Sequence, residues 1–337
     1  MNVLLTCAGR RNYVVDYFKS ALDTGGYVFA ANNTHDVSSM AVCDDFALMP
    51  SIYEDDYIEH VLGFCGRNDV SLIVPLFDLE LPILARHKRE FTDQGISVAV
   101  SDPEICNICL DKVCAQEFFE ESSFNVAPLF TDVELANQAL ECGEISFPLF
   151  VKPRLGMGSI GVYRVNTRKQ LRACFEMVQD EIQETYLSER SMPLKGKEVI
   201  IQEEFPGSHY LLDVVNDFEG GYITTFVKEP LSRWAGEADG AVTRDIPALK
   251  ELGAKLSEAL GHIGNLDADV FWDGENAYIL DMNPRFGGGY PFSHMAGADL
   301  PAAYVAWASG KKPDPSCFEI EYGVKSVKGI SLHRVKY

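Results

Sequence analysis

Apolar residues along the chain fall into short runs that alternate with stretches at helical spacing. Residues 2–7 (NVLLTC) form an apolar run ending in Ala8-Gly9-Arg10, and Tyr13, Val14, Tyr17, Phe18 and Leu22 then recur at helical intervals. Strand-like runs follow at 27–31, 71–77 and 96–100, with helical segments between them. Such alternation predicts a parallel sheet with crossovers, in the Rossmann style, over residues 1–101. Ligands of these sheets sit beyond the carboxyl ends of the strands. Gly9 and the Asp78-Leu79-Glu80 segment fall at such ends. The Gly9 turn lacks a G-x-G-x-x-G pattern and reads as a plain strand-to-helix turn. Asp78 and Glu80 read as acids complementing a helix N-terminus, with a substrate contact by Glu80 as the other reading.

After Ser101-Asp102-Pro103-Glu104, a capping-box-like helix start, the character changes. Residues 104–122 read as one helix, 147–165 as a strand–loop–strand unit and 167–190 as a long polar helix. Strands are expected at 198–202, 210–216 and 221–228, and a helix at 247–262. A closing strand pair follows at 267–272 and 276–282, then a Gly-rich turn at 286–289 and a last helix near 299–309. The tail, residues 311–337, has Pro313 and Pro315 and then alternating residues suited to an edge strand. The predicted class is α/β followed by α+β.

Composition narrows the function. The 337 residues carry 29 Lys+Arg against 50 Asp+Glu, so the net charge is 29 − 50 = −21. That charge disfavours nucleic acid and anionic membrane surfaces as partners. No run of about 18 apolar residues suggests a membrane span, and the N-terminal apolar run is too short for a signal-peptide core. Nine scattered cysteines point to reduced thiols in the cytoplasm. Cys106-Asn-Ile-Cys109, with Cys114 nearby, has zinc-knuckle spacing but no second pair, so buried thiols are the expectation. A phosphate-bearing ligand would therefore need a few local cations and a metal.

Two segments offer them. In FPLFVKPRLGMGSIGV, residues 147–162, an apolar strand delivers Lys152 to a loop holding Gly156, Gly158, Ser159 and Gly161. Glycines let backbone N–H groups turn to a phosphate, Ser159 adds a hydroxyl donor, and Lys152 supplies a point charge. It is no Walker loop, and an ordinary glycine-rich hairpin has the same pattern. Downstream stand Asp267, Asp269, Asp281, Asn283 and Arg285. On a strand Asp281 and Asn283 point to one side, and Asp269 can face them across a hairpin. Two carboxylates and an amide oxygen suit Mg²⁺, with Mn²⁺ as a substitute, and Arg285 can present a planar fork to a phosphoryl group. A solvated polar hairpin is the blander alternative, but the apolar flanks make uncompensated acids costly. Between these segments, Gln202-Glu203-Glu204-Phe205-Pro206-Gly207 is a strand meeting a turn, able to offer backbone groups to an adenine edge with Gln202 or Glu203 beside the exocyclic amine.

Taken in order, Asp111-Lys112 opening a helix, Phe147–Pro153, the 156–161 loop, Gln202-Glu203 to Gly207, Arg233, Asp269 and Asp281-Met-Asn283-Pro-Arg285 resemble the ATP-grasp superfamily. The resemblance is closest to its carbamoyl-phosphate-synthase-large-chain-like branch, and it covers nearly the whole chain. It implies a Rossmann-like pre-grasp domain over 1–101 and a grasp domain of two α+β subdomains over 102–310, with the glycine-loop subdomain at about 120–200. It also implies ATP between the subdomains, with Lys112 and Lys152 on its phosphates and residues 202–205, ending in Phe205, on adenine. Asp269, Asp281 and Asn283 would bind Mg²⁺, and Arg285 and Arg233 would stabilise an acyl-phosphate transition state. The family activates a carboxylate as an acyl phosphate, which an amine or other nucleophile then attacks.

The chain departs from that pattern in places. His209 stands near where many relatives carry a ribose-binding Glu, and Asp281 stands where Glu is commoner. A single grasp unit excludes the two-ATP synthesis of carbamoyl phosphate. Residues 230–245, with Trp234, Gly236 and Glu237, read as a mobile substrate loop, and residues 286–294 as an acceptor pocket with Ser293 or His294, or as a helix-capping turn. The expectation is an ADP-forming carboxylate–amine ligase on small molecules. A catalytically silent nucleotide sensor and a kinase-like phosphoryl transfer are the alternatives. A homodimer is a common outcome for such folds.

Overall fold

Three sheets carry the strands of the computed structural model, which describes residues 1–22, 25–156, 160–234 and 236–334. The first is fully parallel. Strands β1 (Asn2–Thr6), β2 (Val28–Asn32), β3 (Asp45–Leu48), β4 (Val70–Pro75) and β5 (Ser97–Val98) lie in the order β3-β2-β1-β4-β5. Helices Asn12–Ala21, Tyr57–Arg67 and Leu81–Thr92 are the crossovers. The chain winds outward to one side from β1 and then to the other from β4. Their carboxyl ends therefore diverge and leave a crevice.

The second sheet holds β6 (Leu129–Phe130), β7 (Leu149–Pro153), β8 (Tyr163–Val165) and β9 (Val199–Glu203) in the order β6-β9-β7-β8, all neighbours antiparallel. Helices Val133–Cys142 and Arg168–Gln183 cover it, closing a core of Leu149, Val151, Leu171, Val178 and Ile201. Residues 104–122, expected as one helix, form two, Pro103–Leu110 and Lys112–Glu121. Asp111 between them is extended (φ −104°, ψ 111°) and its side chain accepts from Val113 N at 2.9 Å. A side-chain cap thus restarts the helix and points Lys112 elsewhere than a continuous helix would.

The third sheet contains β10 (Ser208–Asn216), β11 (Tyr222–Trp234), β12 (Glu237–Arg244), β13 (Asn265–Trp272), β14 (Ala277–Asn283) and β15 (Lys325–Val327), in the order β14-β13-β10-β11-β12-β15. Residues 230–245 are mostly strand rather than the expected loop, since β11 and β12 pair down to Trp234↔Glu237. The tail does add an edge strand, β15 on β12. One face of this sheet is apolar. Leu212, Val214, Leu266, Ala268, Val270 and Met282 pack against the helices Lys112–Glu121 and Pro247–Leu260. By the two-residue period of a strand, Asp213, Asp267, Asp269, Asp281 and Asn283 occupy the other face.

The chain's two ends share a core. Phe286, Tyr290, Leu300 and Tyr304 from the final turn and helices join Val3, Leu5, Val14 and Phe18 in one buried cluster. This packing sets the 285–289 turn against the carboxyl ends of β1 and β4. Among the described residues, no helix is long and apolar enough to cross a membrane.

Candidate active site

The polar face of the third sheet floors a cleft of about 560 Å³, roofed by residues from β7, β9 and the 156–161 loop. Strand pairing sets the acids. Asp269 lies opposite Asp281, and Asp267 opposite Asn283, across β13 and β14. Lys112 Nζ stands 3.7 Å from Asp281 Oδ1 and donates to the Gly156 carbonyl at 2.8 Å. Lys152 Nζ donates to Gln202 Oε1 at 2.9 Å, inside the same cleft. Seven of the expected residues therefore meet here: Lys112, Lys152, Gly156, Gln202, Asp269, Asp281 and Asn283.

Electrostatics there are strained in both directions. Burial, then the like charge of Lys112, pushes the Lys152 ammonium down to about 7, against Asp281 and Asp269. Burial also pushes the Asp281 carboxyl up, and Asp269 adds to the rise, while Lys112 and Lys152 oppose it. Two carboxylates facing each other in a partly buried cleft call for a cation, and two lysines beside them call for an anion. The donor set fits Mg²⁺, a hard cation that takes carboxylate and amide oxygens and completes its shell with water and phosphate. Among the described residues no group of three or more His, Cys, Asp or Glu is placed to hold a metal, so Asn283 and non-protein oxygens would have to contribute.

His209 lines the cleft and is turned toward Asp269 and Arg233. Its Nε2 lies 2.6 Å from Asp269 Oδ1, and its Nδ1 meets Arg233 Nη2. An arginine only donates, so Nδ1 accepts and Nε2–H donates to the carboxylate. His209 thus links Arg233, at the tip of the β11–β12 hairpin, to an acid of the cation site. Trp234 beside it is 78% exposed and belongs to no core.

Arg285 is held from two sides. Asp267 Oδ2 accepts from its Nη1 at 2.8 Å, and Asp78 Oδ2, from the segment after β4, accepts from its Nη2 at 3.1 Å. The two acids outweigh burial and hold the guanidinium well above its ordinary range, so it is always charged. Arg11, from the turn after β1, donates to the Phe286 carbonyl next to it. Gly287 permits this packing, because a Cβ there would lie 2.0 Å from Asp267 Cγ. Behind these groups, fully buried Lys228 pairs with Asp213, which also accepts from Ser293 Oγ at 2.5 Å.

Other expected residues are placed differently. Phe205 is buried against Tyr278 (ring centroids 5.5 Å) and lines the cleft. The Glu203 carboxylate accepts from Ser146 N and Oγ, both at 2.8 Å. Gly156 lines the cleft and Gly161, with φ +63°, turns the loop into β8, while Gly158 and Ser159 lie outside the described residues. Ser293 is turned to Asp213 and His294 stacks on Tyr17 at 3.6 Å, while Gly288 and Gly289 of the same segment line the cleft. Cys106 and Cys109 are buried free thiols, as expected. Arg11, Asp78 and Asp267 were not legible as site residues from spacing; only the i, i+2 repeat of Asp267 and Asp269 hinted at a shared face.

Residues 145–235 match the ATP-grasp domain family, and residues 195–330 match the family described as ATP-grasp in the biosynthetic pathway with Ter operon. Residues 145–330 are thus matched by ATP-grasp domain families. Residues 3–99 match the PylC-like N-terminal domain. The chain is 22% identical over 331 residues to the carbamoyl phosphate synthase large chain of Clostridium acetobutylicum, covering 94% of this chain and 29% of that protein. It thus spans under a third of that relative. It is 23% identical over 269 residues to D-alanine–D-alanine ligase A of Escherichia coli, covering 77% of this chain and 72% of that one. The biotin carboxylase β,γ-ATP complex from Campylobacter jejuni shares the fold with a TM-score of 0.73 at 16% identity, over 95% of this chain and 73% of that one.

Proposed function

We propose that this ATP-grasp chain is an ADP-forming carboxylate–amine ligase of small molecules. The observation that carries the reading is the opposition of Asp269 and Asp281 across β13 and β14, with Lys112 and Lys152 beside them. Likeness to two proteins named D-alanine–D-alanine ligase supports it.

In the proposed reaction a carboxylate oxygen attacks the γ-phosphorus of ATP, and the bond to the ADP oxygen breaks. The amine nitrogen then attacks the acyl carbon, a C–N bond forms, and phosphate leaves as the amine gives up a proton. Lys112 and Lys152 would hold the phosphates, with Gly156 and Gly161 framing the loop above them, and Gln202 and Phe205 would border adenine. Asp269, Asp281 and Asn283 would hold Mg²⁺, which neutralises phosphate charge as the transfer proceeds. Arg285, fixed by Asp78 and Asp267, and Arg233, fixed by His209, would face charge developing on the transferred group. Such transfer needs placed charge more than a protein nucleophile, and a closed cleft keeps water from an acyl phosphate.

The test is a panel of small acids with Mg-ATP and hydroxylamine as amine. The reading predicts hydroxamate and ADP in equal amounts with at least one acid, and a loss of at least about 100-fold in Asp281→Asn at unchanged melting temperature. A phosphate ester, or normal turnover in the variant, contradicts it.

A further inference from the structure

A second cavity, of about 370 Å³, lies over the carboxyl ends of β1, β2, β3 and β4, apart from the grasp cleft. Residues after each of these strands line it: Cys7 and Gly9, Asn32 and Asn33, Met49 to Tyr53, and Phe77 and Leu79, with Tyr57 from the following crossover. Tyr186, from beyond the helix Arg168–Gln183, closes the far side and contacts the Phe77 ring edge-on (centroids 5.9 Å). The crevice where strand order reverses is where open parallel sheets take ligands, and this cavity falls within the size range of small-molecule sites.

Its chemistry is selective. Among the described residues no Lys, Arg, His, Asp or Glu lines it, so a phosphate, carboxylate or ammonium would find no charged side chain on the wall. Four aromatic rings, Tyr53, Tyr57, Phe77 and Tyr186, do line it, with Met49, Ile52 and Leu79. The polar groups present are neutral: the amides of Asn32 and Asn33, the Ser51 hydroxyl, and Tyr53, whose buried hydroxyl has no hydrogen-bond partner. The Tyr57 hydroxyl is already committed to Glu80 Oε1 at 2.5 Å, which fixes that ring as a wall.

We infer that this cavity is a binding site for an uncharged aromatic or heteroaromatic ring with a hydrogen-bonding edge. Two short segments separate it from the grasp cleft. Gly9 lines the cavity and Arg11 the cleft; Phe77 and Leu79 line the cavity while Asp78 between them binds Arg285. A ring seated here therefore touches the backbone that carries two of the groups holding the 285–286 turn. The ring belongs either to the body of a ligase substrate or to a separate effector. Only this question of source rests on the ligase reading; binding itself does not.

The experiment titrates the full chain with benzamide and indole by ligand-observed NMR, with and without Mg-ATP. The expected result is saturable binding that Mg-ATP leaves in place. Ile52→Trp, which fills the cavity, should weaken it at least tenfold, and Tyr186→Ala, at a half-exposed wall position, several-fold, both with the wild-type melting temperature. If Ile52→Trp does not fold, Tyr186→Ala alone decides. Equal affinity in the variants, displacement by Mg-ATP, or no binding by either ring overturns the site. Hydroxamate assays on ring-bearing acids then separate the sources. A raised KM at constant kcat in Tyr186→Ala marks the ring as part of the substrate. Altered turnover of a ringless acid by benzamide, without competition, marks an effector. Loss of all hydroxamate formation with ring binding intact would refute the ligase reading and leave the site standing.

Discussion

Lys152 shows how burial prepares a cation for one kind of partner. Its pKa is lowered from 10.5 to about 7, so between those values the folded chain binds fewer protons than the unfolded chain. Stability must then rise with pH across that window, and the charged lysine is least tolerated below it. Urea midpoints from pH 6.5 to 9.5 should show this rise in the wild type and a flatter profile in Lys152→Gln. His209 makes a second case, since it touches Asp269 and Arg233 but is not among the residues proposed to hold the cation. His209→Ala should lower Mg²⁺ affinity by about 10- to 100-fold at an unchanged melting temperature, read by Mg²⁺ titration of nucleotide binding. Lys152, Asp269, Asp281, Asn283 and Arg285 were legible because each sits a fixed step from an apolar strand. Asp78 and Arg285 are 207 positions apart, and no local spacing reports such a contact.

At the scale of elements, periodicity located most strands and helices, and its failures have physical causes. Residues 104–122 carry apolar residues at helical intervals throughout, so nothing in the period marks the break at Asp111. The break comes from competition: the Asp111 side chain caps Val113 and Cys114 and pairs with Arg154 Nε at 2.7 Å. Asp111→Ala should cost about 1–2 kcal/mol from the cap alone and raise the nucleotide KM by releasing Lys112, as unfolding and activity measurements would show. Residues 230–245 read as loop because Pro230 and the small residues around Gly236 and Gly240 weaken strand propensity. Pairing to β11 and to the tail strand overrides that, and bulges between Pro230 and Arg233 absorb the misfit.

For the whole molecule, the net charge of −21 posed a conflict with a phosphate ligand that the structure resolves locally. The acids of the third sheet's polar face are paired or placed for a cation: Asp213 with Lys228, Asp267 with Arg285, and Asp269 and Asp281 facing each other. Lys112, Lys152 and Arg233 also line the cleft, so cations stand beside these acids. The parallel sheet was legible from alternation alone, but its shared core with Phe286, Tyr290 and Tyr304 was not, because that packing joins the two ends of the chain. This junction gives the first sheet a part in the site, through Asp78 and Arg11. The central claim is that the Asp269–Asp281 pair and the two lysines form one Mg-nucleotide site. Calorimetric titration of ATP into the full chain, in Mg²⁺ and in EDTA, tests it most directly. The account predicts binding that requires Mg²⁺ in the wild type and is absent even with Mg²⁺ in Asp281→Asn combined with Lys152→Gln. Equal affinity with and without Mg²⁺, or undiminished binding in the double variant, would contradict it.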